Sequence, residues 1–390
     1  MLTTSSIEHL SLVGIKVDLK SLFAIIPTLR SFNFTVDYNQ LINNIYQHPS
    51  VHLQQLSITF DGITFDKVER LLSSMTCLTH FTLIANDVQK DMSNGYRWAQ
   101  LLSTIKTFKF ILTFHPNAFV RSVLDLSSFC TKFWLLEKKW YVTQDVCIDN
   151  CFWILYSNPY FLNWYPFYYI VGTFVTESTD PASTSFINVK KCCIFGQSIS
   201  NTTLWRRCTH VSCLSVSPSI LNQDHKCRYA TMYLDLTKIT WLCLDDTKTG
   251  KSIDTTIQLM DSLPSLRTLR VSVTILKLLL TQNWFNIANL SIVWGSDRLP
   301  KLLTVTETDS LCRSFNHIET LEFTRSFIDD VSQLLNNMMK TLSHVFIDHA
   351  SSITQQDDQF ISYEWLKRNT NLSNFGYSCD KNNNVHIWLY

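Results

Sequence analysis

Cysteine and histidine, two residue types that commonly bind zinc, are concentrated near the centre of the chain. The candidates are Cys192, Cys193, Cys208, His210, Cys213, His225 and Cys227. A zinc site needs four such side chains to converge, commonly from two closely spaced pairs. If Cys213 faces the interior beside Val211, the alternation of side chains along a strand sends His210 to the opposite face. We therefore predict no metal site, and the sequence indicates no cofactor.

Paired carboxylates are a second group of residues that could do chemistry, as metal ligands or as a general acid and base. They occur as Asp245/Asp246, Asp329/Asp330 and Asp357/Asp358. Each pair follows a predicted strand or precedes a predicted helix, where a carboxylate caps free amide groups and interacts favourably with the helix dipole. We interpret all three pairs as capping residues.

Motifs of several common enzyme classes are missing from the sequence. It has only eight glycines and contains no Gly-rich phosphate loop, no Gly-x-Ser-x-Gly elbow and no His-Glu-x-x-His pair. We therefore predict that the protein is not an enzyme. One alternative stays open, a catalytic site within residues 113–205, which would require a pocket with a convergent base and nucleophile.

A recurring apolar phrase marks the strands that must position any binding residue. It reads apolar, two residues, apolar, one residue, apolar. Its copies are Ile7/Leu10/Leu12, Leu29/Phe32/Phe34, Leu53/Leu56/Ile58, Leu78/Phe81/Leu83, Ile105/Phe108/Phe110, Cys208/Val211/Cys213, Ile239/Leu242/Leu244, Leu266/Leu269/Val271, Ile287/Leu290/Ile292, Ile318/Leu321/Phe323, Leu342/Val345/Ile347 and Leu372/Phe375/Tyr377. Most copies begin about 20 to 30 residues after the previous one, which is typical of leucine-rich-repeat strands.

Segments between the phrases carry apolar residues at helical spacing. They include Leu41/Ile42/Ile45, Val68/Leu71/Leu72/Met75, Ile253/Ile257/Met260 and Val331/Leu334/Leu335/Met338. Alternating helices and strands predict parallel strands joined by crossovers. The predicted fold class is therefore α/β, a leucine-rich-repeat solenoid with a curved parallel sheet on the concave side and helices on the convex side.

The repeat is interrupted in the middle of the chain, and three segments follow from this. Residues 1–112 and 206–390 carry the phrase, whereas residues 113–205 lack a clean copy and form an irregular, aromatic-rich continuation of the solenoid. We expect the sheet to continue through this middle segment. Its aromatic side chains are expected to fill the core, and any that are exposed would be anchors for a partner.

Particular elements can be predicted in the middle segment and at both ends. Residues 133–142 and 155–161 are read as strands, and the residues expected to share one strand face are Ile187, Val189, Cys193 and Phe195. Because the first phrase begins at Ile7, we expect either a chain cut from a longer one or an incomplete cap in residues 1–6. Residues 380–384 predict a turn before a last strand with alternating Val385, Ile387 and Leu389.

Side chains that alternate with the apolar positions would line the concave face of the sheet. They are mostly Ser, Thr, Asn and His, and only five are charged: Lys109, Asp245, Arg270, Glu322 and Asp348. Such a surface suits a protein ligand better than a phosphate backbone, which needs many cations. Aromatic residues and arginine dominate the binding energy of protein interfaces. The predicted protein-binding residues are Trp241, Asp245, Arg270, Glu322, His344, Phe346 and Asp348.

Composition limits the partners and the compartment. The 33 basic and 32 acidic residues give a net charge of +1, without the basic patch of a nucleic-acid binder. Twelve cysteines without the paired spacing of a secreted scaffold, and an amino terminus unlike a signal peptide, predict a cytoplasmic or nuclear protein. Residues 150–176 are uncharged but interrupted by Asn, Pro and Gly, so we predict no membrane span.

The chain resembles the repeat half of eukaryotic F-box leucine-rich-repeat proteins, over nearly its whole length. The phrases that carry the resemblance are residues 263–271, 318–323 and the closing 385–390, with the aromatic runs 133–142 and 155–161. In that family an F-box binds the Skp-type adaptor of a cullin ubiquitin ligase, and the repeats recruit a substrate. This sequence shows no F-box with its Leu-Pro-x-Glu opening.

The resemblance therefore implies a non-enzymatic scaffold that recognises proteins, similar to the substrate-recruiting half of an F-box subunit. Binding of a Skp-type adaptor is implied only if an upstream F-box is missing from this chain. The alternative is a free-standing leucine-rich-repeat scaffold or inhibitor with no role in ubiquitin transfer.

Overall fold

A computed structural model describes residues 6–13, 19–35, 52–114, 124–147, 152–165, 174–180, 186, 188–194, 208–216, 234–244, 253–293, 303–324, 331–348, 361–380 and 384–390. The chain forms two compact units. The first comprises Met1–Leu162 and Tyr169–Asn188, and the second comprises Asn163–Tyr168 and Val189–Tyr390. Each unit contains a mostly parallel sheet together with helices, which confirms the predicted α/β class.

The first unit is built on an eight-stranded sheet. Its strands are β1 (His9–Val13), β2 (Ser31–Thr35), β3 (Gln55–Asp61), β4 (His80–Asn86), β5 (Thr107–Phe114), β6 (Tyr141–Cys147), β7 (Phe152–Asn158) and β8 (Phe174–Ser178). The spatial order is β1-β2-β3-β4-β5-β7-β6-β8. Strands β1 to β5 are parallel and follow chain order, whereas β7, β6 and β8 each pair antiparallel with the preceding strand in this order.

Helices join the parallel strands of the first unit and bury one face. They are α1 (Leu19–Ile25), α2 (Phe65–Ser73) and α3 (Gly95–Leu101), with short 3-10 turns at Lys90–Ser93 and Leu126–Phe129. The buried stripe of α2 contains the predicted Val68, Leu71 and Leu72. On the outer side, Arg97 Nη2 of α3 lies 2.8 Å from Asp66 Oδ1 and 3.0 Å from Glu69 Oε2 of α2, so neighbouring helices are tied together.

The apolar phrase aligns from strand to strand in the first unit, as predicted. Its second positions pair as Leu10, Phe32, Leu56, Phe81 and Phe108, and its third positions pair as Leu12, Phe34, Ile58, Leu83 and Phe110. From β2 onward both rows are buried in one hydrophobic core with the helix stripes. On the edge strand β1, Leu10 and Leu12 are half-buried and Ile7 is 42 % exposed.

The second unit is built on a nine-stranded sheet. Its strands are β9 (Lys191–Ile194), β10 (Cys213–Val216), β11 (Trp241–Leu244), β12 (Thr268–Ser272), β13 (Asn289–Val293), β14 (Thr320–Thr324), β15 (His344–Asp348), β16 (Phe375–Cys379) and β17 (Val385–Leu389). The spatial order is β16-β17-β15-β14-β13-β12-β11-β10-β9. Strands β9 to β15 are parallel, and β17 and β16 complete the sheet antiparallel.

Five helices of the second unit are described, and contacts at their ends and along their buried faces fix them to the sheet and to each other. They are α4 (Ile253–Asp261), α5 (Val273–Leu279), α6 (Val305–Ser314), α7 (Val331–Met338) and α8 (Tyr363–Asn369), with a 3-10 turn at Leu236–Lys238. Helix α6 starts with a capping box formed by Thr304 and Glu307. Lys277 Nζ of α5 lies 2.8 Å from Glu307 Oε2, which ties α5 to α6. The predicted stripe Val331/Leu334/Leu335/Met338 is buried.

The phrase also aligns across the second sheet, which places its apolar residues in the interior. The second positions pair as Leu214, Leu242, Leu269, Leu290, Leu321 and Val345, and the third as Val216, Leu244, Val271, Ile292, Phe323 and Ile347. All of these side chains are buried. Burying each one fully is worth roughly 1.5 to 3 kcal/mol, so the aligned rows stabilise the unit.

Two copies of the phrase were predicted in the wrong register or missed. The structure aligns Val211/Leu214/Val216 with the phrase of β11, where Cys208/Val211/Cys213 was predicted, and Cys213 lies on the opposite face beside Trp241. The two readings overlap in sequence, and alternation alone does not choose between them. In β9, Cys192 rather than Cys193 aligns with the buried Leu214, and Val189 before the strand is buried.

The middle segment differs from the prediction in its elements but agrees in its packing. Phe133–Lys138 is a π-helix rather than a strand, and the strand after it begins at Tyr141. We expected one continuous sheet, but the described strands form two. The connection from β6 to β7, residues 148–151, is too short for a parallel crossover, so the pair is antiparallel. The described aromatics with the largest buried side chains, Trp134, Trp153, Tyr156, Tyr160 and Tyr165, fill the core as expected.

The carboxyl-terminal strands form a hairpin that was not predicted. The last strand, β17, is confirmed at Val385–Leu389, but it inserts between β15 and β16 and is antiparallel to both. The copy Leu372/Phe375/Tyr377 is therefore not a further parallel rung. The connection from β16 to β17, residues 380–384, is too short for a crossover, which again gives an antiparallel pairing.

Candidate protein-binding surface

One face of the second sheet carries the side chains that alternate with the buried rows, and we call it the open face. One of its rows contains Lys191, Cys213, Trp241, Thr268, Asn289, Thr320, His344 and Trp388. The next row contains Ser215, Cys243, Arg270, Ser291, Glu322, Phe346 and His386. Register fixes these rows because every strand presents alternate residues to the same side.

The predicted binding residues that the structure describes all lie on the open face. Trp241, Glu322, His344, Phe346 and Asp348 are half-buried and Arg270 is exposed. Asp245 lies outside the described residues. The predicted residues do not form one cluster: Trp241 and His344 are four strands apart, which is about 19 Å at the usual strand spacing.

Four aromatic rings cluster on the open face where β15 meets β17, and we call this group the aromatic quartet. It consists of His344, Phe346, His386 and Trp388. Trp388 lies opposite His344 and His386 lies opposite Phe346 in the antiparallel pair. The ring centroids of His344 and Trp388 are 5.6 Å apart, and those of Phe346 and His386 are 4.8 Å apart. The predicted His344 and Phe346 are thus two of the four rings in this cluster.

The other half of the quartet, His386 and Trp388, was missed by sequence reasoning. Both lie at the positions that alternate with Val385 and Ile387, so the strand pattern indicated that they share a face. Their partner strand could not be read from the pattern, because β17 is not a copy of the phrase. The pairing of β17 with β15 brings them to the predicted residues.

Gly376 allows the quartet to extend toward the chain end. It lies opposite Trp388 in the β16–β17 pair. A Cβ atom at this position would lie 3.1 Å from the Tyr390 hydroxyl oxygen and 3.4 Å from Trp388 Cε3. The absence of a side chain therefore leaves room for these two rings, and Tyr390 is 82 % exposed.

The two histidines of the quartet contact each other directly. His386 Nδ1 and His344 Nε2 are 3.4 Å apart, and the two rings are nearly parallel. Partial burial, and secondly the charge that His386 can carry, lower the pKa of His344 below its ordinary value. The neutral imidazole is therefore the favoured form of His344 in this cluster.

Charged groups on the open face are few and lie apart. Glu322 is the register neighbour of Phe346, and Arg270 lies two strands from Glu322 in the same row. Between them, the Ser291 hydroxyl is buried and has no hydrogen-bond partner among the described residues. At the other end, Lys191 Nζ lies 5.7 Å from the centroid of the Trp241 ring, a cation–π arrangement.

In the first unit, polar residues of the middle segment are buried by aromatic neighbours. The Asp145 side chain is fully buried, and its carboxylate accepts hydrogen bonds from the Tyr156 hydroxyl at 2.8 Å and the Thr176 hydroxyl at 2.5 Å. Tyr156 packs edge-on against Tyr160. These contacts stabilise the sheet where it becomes antiparallel.

A groove of about 630 Å³ lies at the amino-terminal edge of the second sheet. It is lined by residues just before β11 to β14, including Thr240, Arg267, Ala288 and Glu319. Phe285 at its rim is 59 % exposed and packs edge-on against His317 at 6.0 Å. Thr240, Arg267, Ala288 and Glu319 each directly precede a residue of the first open-face row, so the groove adjoins that row at the edge of the sheet.

In the described part of the chain, no three His, Cys, Asp or Glu side chains come together in a way that could hold a metal ion. Of the zinc candidates, Cys208 is buried, His210 is exposed and Cys213 lies on the open face, while His225 and Cys227 lie outside the described residues. The premise that Cys213 faces the interior was wrong.

Within those same ranges, no helix combines the length and the apolar character needed to cross a bilayer. Compared with known proteins, the chain matches no protein-family model and no curated protein.

Proposed function

We propose that this protein is a non-enzymatic scaffold that recognises another protein through the open face of its second unit. The aromatic quartet is the observation that carries the proposal. The apolar rings of Phe346 and Trp388 remain partly exposed on this sheet face and are costly to leave in water, and aromatic residues dominate the binding energy of protein interfaces. A nucleic-acid partner would need many cations, and the described open face has only Lys191 and Arg270.

We also propose that each run of parallel strands is a leucine-rich-repeat solenoid. Strands that follow chain order, the alignment of one apolar phrase across them, and the helices between them support this architecture. In such an array each rung buries its apolar side against its neighbours. The open face then corresponds to the concave face of the predicted solenoid.

Photo-crosslinking tests the binding face. The photoreactive residue p-benzoyl-phenylalanine is placed at Phe346 and, as a control, at Phe285, which is exposed but lies off the open face. We expect the Phe346 site to capture a discrete protein from a homologous cell extract and the Phe285 site not to capture it. An excess of unlabelled wild-type chain should compete, and an excess of the Trp388→Ala chain should compete poorly. Equal capture from both positions would contradict the proposal.

The substrate-receptor role suggested by the resemblance is tested separately, with a purified Skp-type adaptor. The sequence as given has no Leu-Pro-x-Glu opening of an F-box, so we expect it not to bind the adaptor. If the gene encodes an F-box upstream of Met1, the extended chain should bind. If the gene encodes no F-box upstream of Met1, a free-standing scaffold or inhibitor with no role in ubiquitin transfer becomes the better explanation.

A further inference from the structure

Some aromatic rings of this protein have a cation of the same chain beside them. Lys191 lies over Trp241, Lys367 lies 4.6 Å from the Tyr363 centroid, and Arg97 lies 4.1 Å from the Phe65 centroid. Within the described ranges, no lysine or arginine lies over a quartet ring. The faces of aromatic rings attract cations within about 6 Å of the centroid. The quartet can therefore accept a cation from outside the chain.

A carboxylate beside the quartet makes it favourable for positive charge. Glu322 is the register neighbour of Phe346 on β14, and its carboxylate makes no hydrogen bond or ion pair with any described residue. The nearest described cation on the open face is Arg270, three strands from Phe346 or about 14 Å at the usual spacing.

We propose that the aromatic quartet and Glu322 together receive a positively charged side chain of the protein partner, arginine in preference to lysine. This inference rests on the proposed function of the open face. The rings of His344, His386 and Trp388 are nearly parallel, with interplanar angles of 12° to 28°. A planar guanidinium stacks on such rings and can also donate two hydrogen bonds to one carboxylate, whereas an ammonium offers a single charged point.

Side-chain analogues test the proposal directly. The full chain is labelled with 5-fluorotryptophan, and the ¹⁹F signal of Trp388 is assigned as the one that Trp388→Phe removes. The protein is titrated with the N-acetyl methylamides of arginine, lysine, citrulline and norleucine. We expect arginine to shift the Trp388 signal at the lowest concentration, followed by lysine. Citrulline and norleucine should bind at least about fivefold more weakly than arginine.

Matched variants separate the roles of charge and shape. Glu322→Gln should weaken binding of the arginine analogue by about threefold or more, because it removes the neighbouring charge. Arg270→Gln lies in the same row and should not weaken it. Unchanged ¹⁹F signals from the other ten of the eleven tryptophans would show that both variants are folded.

The outcomes distinguish this inference from the proposed function. Binding of citrulline or norleucine equal to that of arginine, or no shift with any analogue, would overturn the cation site. Crosslinking from Phe346 reports a protein partner whatever side chain that partner inserts. A captured partner without an arginine preference would therefore end the inference alone. An arginine preference without a captured partner would keep the cation site, but would end the proposed function and with it the assignment of that cation to a protein partner.

Discussion

At the scale of residues, the attraction of the open face for a cation depends on the two histidines of the aromatic quartet and their contact with each other. In the quartet, His386 Nδ1 and His344 Nε2 are 3.4 Å apart, and the centroids of the two imidazole rings are 5.6 Å apart. A charged imidazolium at position 344 would repel an approaching cation. The attraction of the quartet for a cation is therefore strongest when His344 is neutral, the form that its lowered pKa favours.

The lowered pKa of His344 predicts a pH-dependent stability. Above the ordinary pKa of 6.5 the ring is neutral in both states. Below it the unfolded chain takes up the proton first, so the free energy of unfolding falls as the pH falls from 6.5 through the lower folded-state pKa. The titratable groups on the strands around His344 are His386, Glu322 and Asp348. Urea unfolding at pH 7.5 and 5.5 should show a smaller loss for His344→Gln than for wild type.

An equal loss of stability in wild type and His344→Gln would contradict this account of the histidine pair. His80→Gln, which removes an exposed histidine of the first sheet, is measured beside it at the same two pH values.

Cys312 should react slowly with thiol reagents. Burial, with the charge of Asp309 as the second cause, raises the pKa of this thiol to about 11. At pH 8 only about one thiol in a thousand is then ionised, and the thiolate is the reactive form. Mass spectrometry after brief N-ethylmaleimide treatment should find Cys379, which is exposed, labelled at least about tenfold faster.

Asp309→Asn is the matched variant for the thiol. Because it removes the second cause of the raised pKa, it should increase the labelling rate of Cys312 and not that of Cys379. Rapid labelling of Cys312 in the folded wild-type chain would contradict the prediction.

At the scale of elements, connection length decides strand direction. Where a helix lies between two strands, as α6 does between β13 and β14, the strands are parallel. Where the connection is only four or five residues long, as between β6 and β7 or β16 and β17, they are antiparallel. A turn was predicted at residues 380–384, of which 381–383 lie outside the described residues, and the antiparallel pairing that so short a connection implies was not predicted.

The capping box of α6 should contribute measurably to stability. The Thr304 hydroxyl accepts a hydrogen bond from the Glu307 amide at 3.4 Å, and the Glu307 carboxylate accepts one from the Thr304 amide at 2.8 Å. Partial burial raises the pKa of Glu307, but hydrogen bonds from Lys277 and Thr304 outweigh it and the pKa is lowered. Thr304→Ala should reduce the free energy of unfolding by about 1 kcal/mol in a denaturant titration.

The conservative change Thr304→Ser keeps the capping hydroxyl and should cost less than Thr304→Ala. If both variants unfold at the same denaturant concentration, the cap is not what stabilises this helix end.

At the scale of the whole molecule, each unit contains rows of buried apolar side chains that run across the strands of its sheet. Leu269 is fully buried between Leu242 and Leu290, while the next residue, Arg270, points to the open face. A shift of one residue in any strand would exchange these environments. A change of register in one strand would therefore misalign its buried side chains with those of the neighbouring strands.

Adjacent substitutions test this register. Leu269→Asp buries an unpaired carboxylate between neighbouring strands and should lower the free energy of unfolding by roughly 3 kcal/mol or more. Arg270→Asp changes an exposed side chain and should be nearly neutral for folding. Thermal denaturation followed by circular dichroism compares the two, and coincident melting curves would contradict the register.

Local periodicity was sufficient to predict the α/β class, the strands that carry the phrase and most of the buried rows. Periodicity indicates which side chains of one strand share a face. A copied phrase favours parallel neighbours, because a helix between two copies returns the chain to the same edge of the sheet, as α2 does between β3 and β4. His344 and Phe346 were found in this way, since they alternate with Val345 and Ile347.

Pairing between unlike segments was decided only by the tertiary structure. Three features depend on pairing between segments that lie far apart in the sequence. They are the register at Val211, the antiparallel strands of the middle segment and the insertion of β17 beside β15. A local pattern of residues does not indicate which distant segment pairs with a given strand. For this reason the sequence indicated half of the aromatic quartet, and the fold supplied His386 and Trp388.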